Sequence, residues 1–181
     1  MRLDSLGKVT GATRYAEDMV LPGMLYAAVL RSPHHHARLL AMDSRQAEGL
    51  PGVVRIITAV DIPGDNNLTG YSHNEPVLTP VGDTLRQKGA PITLVVADSL
   101  EHARAAVGQI QVEYEILPHQ FDADQSLQPE ATKIYPAGNV LNTFSLVHGD
   151  LQAAWTNADV CIETDYYTAF QEHSTLEREA T

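Results

Sequence analysis

PITLVVADSLEHARAAVGQIQVEYEI, residues 91–116, is the stretch that decides the fold. Pro91–Ala97 is a continuous apolar run, the pattern of a strand. Asp98 and Ser99 follow, both of a type that caps helix N-termini, and Asp98 with Glu101 has capping-box spacing. Leu100, Ala103, Val107 and Ile110 then recur at helical intervals and predict one buried helix face. Val112, Tyr114 and Ile116 alternate with Glu113 and Glu115, so the next strand is wet on one side and turns its apolar residues inward. Pro118 closes the unit. Strand, helix and strand in succession place this part of the chain in the α/β class.

Upstream, the turn at Pro22–Gly23 precedes an apolar run, Met24 to Leu30, that Pro33 stops. It predicts a strand buried on both faces. RLLAMDS (38–44) and VVRIITA (53–59) predict two more strands, with a short helical turn over 44–52 ended by Gly49 and Pro51. Residues 61–83 carry glycines and prolines without apolar periodicity and predict a long excursion. Downstream, residues 119–145 mix turn formers with charge and predict a linker. Asp150 can cap a helix whose Leu151, Ala154, Trp155 and Ala158 share a face. DVCIETDYYTAF (159–170) alternates again and predicts a strand leading into QEHSTLE. In that strand Tyr166 and Tyr167 would serve packing.

The chain has 181 residues, with 44% hydrophobic, 19% charged and 6% aromatic residues. That length suits one domain and part of a second. The net charge of −11 is uneven: residues 1–60 hold seven Lys/Arg and five Asp/Glu, residues 61–181 five and eighteen. The basic residues are scattered singly, which argues against a nucleic-acid partner. No apolar run approaches the roughly 18–20 residues that span a bilayer, and the N-terminus lacks a signal-peptide apolar core, so the cytoplasm is the expected compartment. Cys161 is the sole cysteine, which rules out a disulfide framework and a CxxC motif.

Two stretches carry candidate chemistry. His34, His35 and His36 are consecutive, and neighbours on a strand point to opposite faces, so at most two of them can share a metal. Surface or structural histidines are the expected reading, with a weak metal site as the functional alternative. In QEHSTLE, an extended backbone puts Gln171, His173 and Thr175 on one side and Glu172 and Ser174 on the other. Glu172 and His173 then cannot chelate together, and His173 meets Glu177 only if the register holds. GxSxG, P-loop and GxGxxG patterns are absent from the sequence.

Taken together, GKVTGATRYAEDMVLPGMLYAAVLRSPHHHARL, GLPGVVRIITAVDIPG, KGAPITLVVADSLEHARAAVGQIQVEYEILP and GDLQAAWTNADVCIETDYYTAFQEHSTLE occur in an order that resembles the start of the molybdenum-binding subunit of the xanthine dehydrogenase/aldehyde oxidase family. The resemblance implies an α/β (α+β) architecture: an α/β-hammerhead domain over 1–118, a linker over 119–145, and the first segment of a molybdopterin-binding domain over 146–181. It implies that Gln171 approaches the molybdenum centre and hydrogen-bonds to an oxo-type ligand, a role suited to a neutral amide donor. His173 and Glu177 would scaffold that loop without binding metal. The family often has Glu-Pro where this chain has Glu177–Arg178.

The resemblance further implies molybdopterin in the complete enzyme, with iron–sulfur clusters and FAD on partner subunits or domains. The substrate would be a purine, N-heterocycle or aldehyde, hydroxylated with oxygen from water. The glutamate base and most cofactor contacts would lie in the remainder of the subunit, beyond this chain, leaving residues 1–181 inactive and free of molybdenum on their own. The rival reading is a non-catalytic interaction or assembly module with the same fold.

Overall fold

A computed structural model describes residues 5–68 and 75–175. The described residues of Met1–Pro22 and Phe144–Thr181 cluster in one unit, and those of Gly23–Thr143 in another.

Among its described residues the larger unit has six strands: β1 (Tyr26–Arg31), β2 (Ala37–Asp43), β3 (Val53–Ile57), β4 (Thr84–Leu85), β5 (Pro91–Ala97) and β6 (Gln111–Ile116). They form two antiparallel three-stranded sheets, ordered β1-β5-β3 and β4-β2-β6. Successive strands therefore belong to alternate sheets. The continuous apolar run of 91–97 forms a strand, as the sequence predicts, and the structure makes it the central strand of its sheet. Ile92 is sealed in a cluster with Ala37, Leu39, Leu85 and Ala90. Val95 is sealed in a second cluster with Ala47, Ala106 and Ile110. Leu30, Met42 and Val112 pack against both clusters and join them. Thr93, wholly buried, spends its hydroxyl on the carbonyl of Ile57 at 2.6 Å. That bond satisfies a group which is costly to bury unpaired.

The helices are short: α1 (Ser5–Val9), α2 (Arg45–Glu48), α3 (Leu100–Val107), α4 (Ala123–Ser126) and α5 (Leu151–Asn157). Ser99 caps α3, accepting from the His102 amide at 3.2 Å. Asp98 does not complete a capping box; its carboxylate meets the His102 ring, 2.5 Å from Nδ1. This pair closes over Gly52, whose φ is +79°. A Cβ there would collide with His102 Nδ1 and Asp98 Oδ1. Glycine is required twice over, by conformation and by space.

Several expectations need correction. β1 is not buried on both faces: Leu25, just before it, and Ala27 are exposed, so one face of this strand, at the edge of its sheet, is left uncovered. α3 buries Ala103 and Ala106, whose small side chains allow close approach to the sheet, while Leu100 remains 38% exposed at the first turn. In β6, Val112 and Tyr114 face inward, but Ile116, at the end of an edge strand, is 65% exposed. β3 stops at Ile57, where a 3-10 turn, Ala59–Asp61, begins. β4 and α4 are too short for periodicity to reveal.

Candidate functional site

Gln171 lies on a run of chain that begins at α5. Asp150 caps this helix, its Oδ1 accepting from the Ala153 amide at 2.9 Å, as predicted. Leu151, Ala154, Trp155 and Ala158 share one face and, with Val160, Cys161 and Ile162, line an open hollow of about 330 Å³.

The strand expected over 159–170 is not formed. These residues make no ladder with any described strand, and Val160 and Ile162 are 75% and 78% exposed. Alternation alone does not make a strand, because unpaired backbone groups gain nothing over water by extending. Tyr166 and Tyr167 are exposed as well and contribute no packing.

Gln171 is exposed and outside regular structure. Glu172 turns back onto the chain, its Oε1 accepting from the His173 amide at 3.0 Å. Ser174 has φ +48°, in the left-handed region, so the extended alternation that would align Gln171, His173 and Thr175 breaks at this residue. Glu177 and Arg178 lie outside the described residues. Among the described residues, no group of three His, Cys, Asp or Glu side chains can hold a metal ion. What this segment offers chemically is a neutral, solvent-facing amide donor.

The three histidines are sorted into three environments. His36 is buried, with Nδ1 2.6 Å from the Pro118 carbonyl, and is structural. The His34 ring meets Tyr114 edge-on at 4.8 Å. His35 is exposed and stacks on His119 at 5.3 Å.

Arg86 was not singled out by the sequence. Its Nε donates to the Ile134 carbonyl at 3.2 Å and its Nη1 to the Thr84 carbonyl at 3.1 Å. Its guanidinium lies 5.3 Å from the centre of the Tyr135 ring, within cation–π range. Asn139 organises the same segment, its Oδ1 accepting from the Ile134 amide at 2.8 Å and its Nδ2 donating to the Ser126 and Thr132 carbonyls. Arg86, Thr79, Thr84, Gln87 and Tyr135 help line a cavity of about 240 Å³. Apart from the bond to Thr84, these contacts are distant in sequence or made within an irregular segment, so no local pattern announces them.

Residues 10–118 match the family described as aldehyde oxidase and xanthine dehydrogenase, a/b hammerhead domain. That is more than half of the chain.

The chain belongs to this family.

This hammerhead-family chain is 35% identical over 179 residues to a probable xanthine dehydrogenase subunit of Bacillus subtilis (strain 168). It is 33% identical over 180 residues to the nicotinate dehydrogenase large molybdopterin subunit of Eubacterium barkeri. Each alignment covers 99% of this chain but only 24% and 42% of those relatives. Among solved structures, the quinoline 2-oxidoreductase of Pseudomonas putida 86 superposes with a TM-score of 0.75 at 31% identity, over 88% of this chain and 21% of that one. The aldehyde oxidoreductase of Desulfovibrio gigas gives 0.74 at 28% identity, over 88% and 19%. The expected hammerhead fold and family are thereby established. The hammerhead chain spans roughly a fifth to two-fifths of the proteins it resembles.

Proposed function

We propose that this chain serves as part of the molybdenum-bearing subunit of a molybdenum hydroxylase acting on a purine, N-heterocycle or aldehyde. The observation that carries the reading is the extent of the likeness. Similarity to the Bacillus subtilis protein runs over 99% of the chain, well past the hammerhead match at residue 118 and through the Gln171 segment. In this proposal residues 1–118 are the hammerhead, 119–145 a linker, and 146–181 the opening of the molybdopterin-binding domain. The partners are the remainder of the subunit together with iron–sulfur and FAD-bearing subunits or domains, in the cytoplasm.

The molybdenum cofactor, when bound, supplies the redox chemistry that moves electrons from substrate to the other centres. This chain's part is positional. Gln171 fits that part: its amide is exposed and carries no charge, so it can donate a hydrogen bond to the cofactor without altering the site's charge. One amide does not constitute a binding site, and the described residues hold no group of three metal-ligating side chains. The chain alone is therefore expected to carry no molybdenum and no hydroxylase activity.

The test is molybdenum quantified by mass spectrometry in residues 1–181 and in the complete reading frame, both from cells that make the cofactor. Metal in the complete product and none in the shorter chain is the expected result. A complete product lacking molybdenum would favour the non-catalytic assembly module. Gln171→Ala in the complete enzyme should lower turnover with metal content retained, and unchanged turnover would remove Gln171 from the site.

A further inference from the structure

The loop between β1 and β2 and the chain leaving β6 run side by side. The Leu117 amide donates to the His36 carbonyl at 2.9 Å, and the His36 ring is held by Pro118. With His36 committed to the interior, its neighbour His35 projects into solvent, where it meets His119. The two imidazole centres are 5.3 Å apart and their planes 29° apart. Phe121 stands edge-on to both, 4.7 Å from His35 and 5.0 Å from His119.

Two readings compete for this cluster. Aromatic packing is the first, yet Phe121 is 78% exposed, so little apolar surface is removed from water. Coordination is the second. With metal–nitrogen bonds of about 2.0–2.1 Å, two imidazoles on adjacent positions of a tetrahedral ion have ring centres about 5 Å apart. The observed centre-to-centre spacing of 5.3 Å is close to that value, and because the rings lie near-parallel each must turn about its side-chain torsions to point a nitrogen at a shared ion. Imidazole nitrogen suits zinc, copper and nickel, and copper(II) binds tightest among the divalent ions of the first row.

We propose that His35 and His119 form a two-imidazole site for a divalent transition-metal ion of the zinc–copper–nickel class, with water in the remaining positions. The ligands come from strand-flanking segments 84 positions apart in the sequence, so an ion here clips the β1–β2 loop to the point where the chain leaves the hammerhead. The site owes nothing to the molybdenum reading and stands or falls separately.

The experiment is calorimetric titration of the tag-free 181-residue chain with zinc and copper(II) salts. The wild-type chain is expected to show a site that His35→Gln and His119→Gln each weaken by about tenfold or more, and that His34→Gln leaves unchanged. Zinc should also shift the imidazole proton resonances of His35 and His119 together. Both substituted residues are exposed, and circular dichroism checks that the variants stay folded. Affinity unaltered by His119→Gln, or lost in His34→Gln, His148→Gln or His173→Gln, would overturn the assignment.

Discussion

Within Gly23–Thr143, Leu39, Leu85, Ile92 and Val95 are almost wholly sealed from water, each by residues from a different strand or helix. Along residues 144–170, Phe144, Tyr166, Tyr167 and Phe170 are 85%, 90%, 93% and 94% exposed. Both stretches are rich in apolar side chains, so composition does not separate them. What separates them is the availability of a surface to pack against. β6 and residues 159–170 make the point most directly. Both alternate apolar and acidic positions, but β6 is paired along its length with β2, and 159–170 has no described ladder partner. A pattern licenses a strand, and a partner creates one.

The comparison can be challenged by mutation. Leu39→Ala should have the largest effect, about 3 kcal/mol, since it opens a cavity in a fully closed cluster. Urea denaturation measures it, and a loss below about 1 kcal/mol would mean the cluster collapses to fill the space. Next comes Gly52→Ala, expected to cost about 2 kcal/mol through left-handed strain and collision with the Asp98–His102 pair. His102→Ala in the same chain should recover part of that loss, and no recovery would assign the whole cost to the backbone.

Arg86→Ala should cost about 1.5 kcal/mol and raise hydrogen exchange across residues 131–139, because the Ile134 carbonyl and the Tyr135 ring lose their charged partner. Exchange unchanged there would show that Asn139 holds the segment unaided. Phe170→Ser should change stability by less than about 0.5 kcal/mol, as expected for a side chain that packs on nothing described. A larger loss would bring residue 170 into a packed surface and erase the contrast.

The smallest effect is acid sensitivity. The Thr58 amide, and then Arg55, hold the Asp61 carboxyl below the ordinary carboxylate range. Its contribution is therefore complete above the unfolded value of about 3.9 and is lost as pH falls through the lower folded value. Asp61→Asn should flatten the urea midpoint between pH 5 and pH 2 (approximate limits), and a slope equal to wild type would place the acid sensitivity elsewhere. Asp43 is also held down, to about 2, by Arg45, and adds the same sign of dependence.

How much of this was legible in the sequence follows the range of the interactions. The 91–116 unit was readable because a covered strand, a capped helix and a half-wet strand each leave a local period. Asp150 as the cap of α5 was readable for the same reason. Arg86 and Asn139 were not, because their hydrogen-bond partners are main-chain carbonyls and amides, which carry no side-chain signature, and the Tyr135 ring over Arg86 is far away in sequence. The meeting of His35 with His119 was likewise hidden, since it depends on His36 being fixed by Pro118. Residues 159–170 misled because alternation describes the strand and says nothing of its neighbour. The role proposed for Gln171 rests on family resemblance alone, as no physical pattern marks a solitary amide.

The alternation of successive strands between the two sheets has a consequence for how the protein is made. β1 is complete at Arg31, but its partner β5 begins only at Pro91, and β2 waits in the same way for β6. The first sheet can close only once Ala97 has left the ribosome, and the second only after Ile116. Most of the larger unit must therefore be synthesised before either sheet is finished. Until then the nascent chain carries unpaired, apolar strand edges, a burden that high contact order imposes on folding speed and on the demand for chaperones.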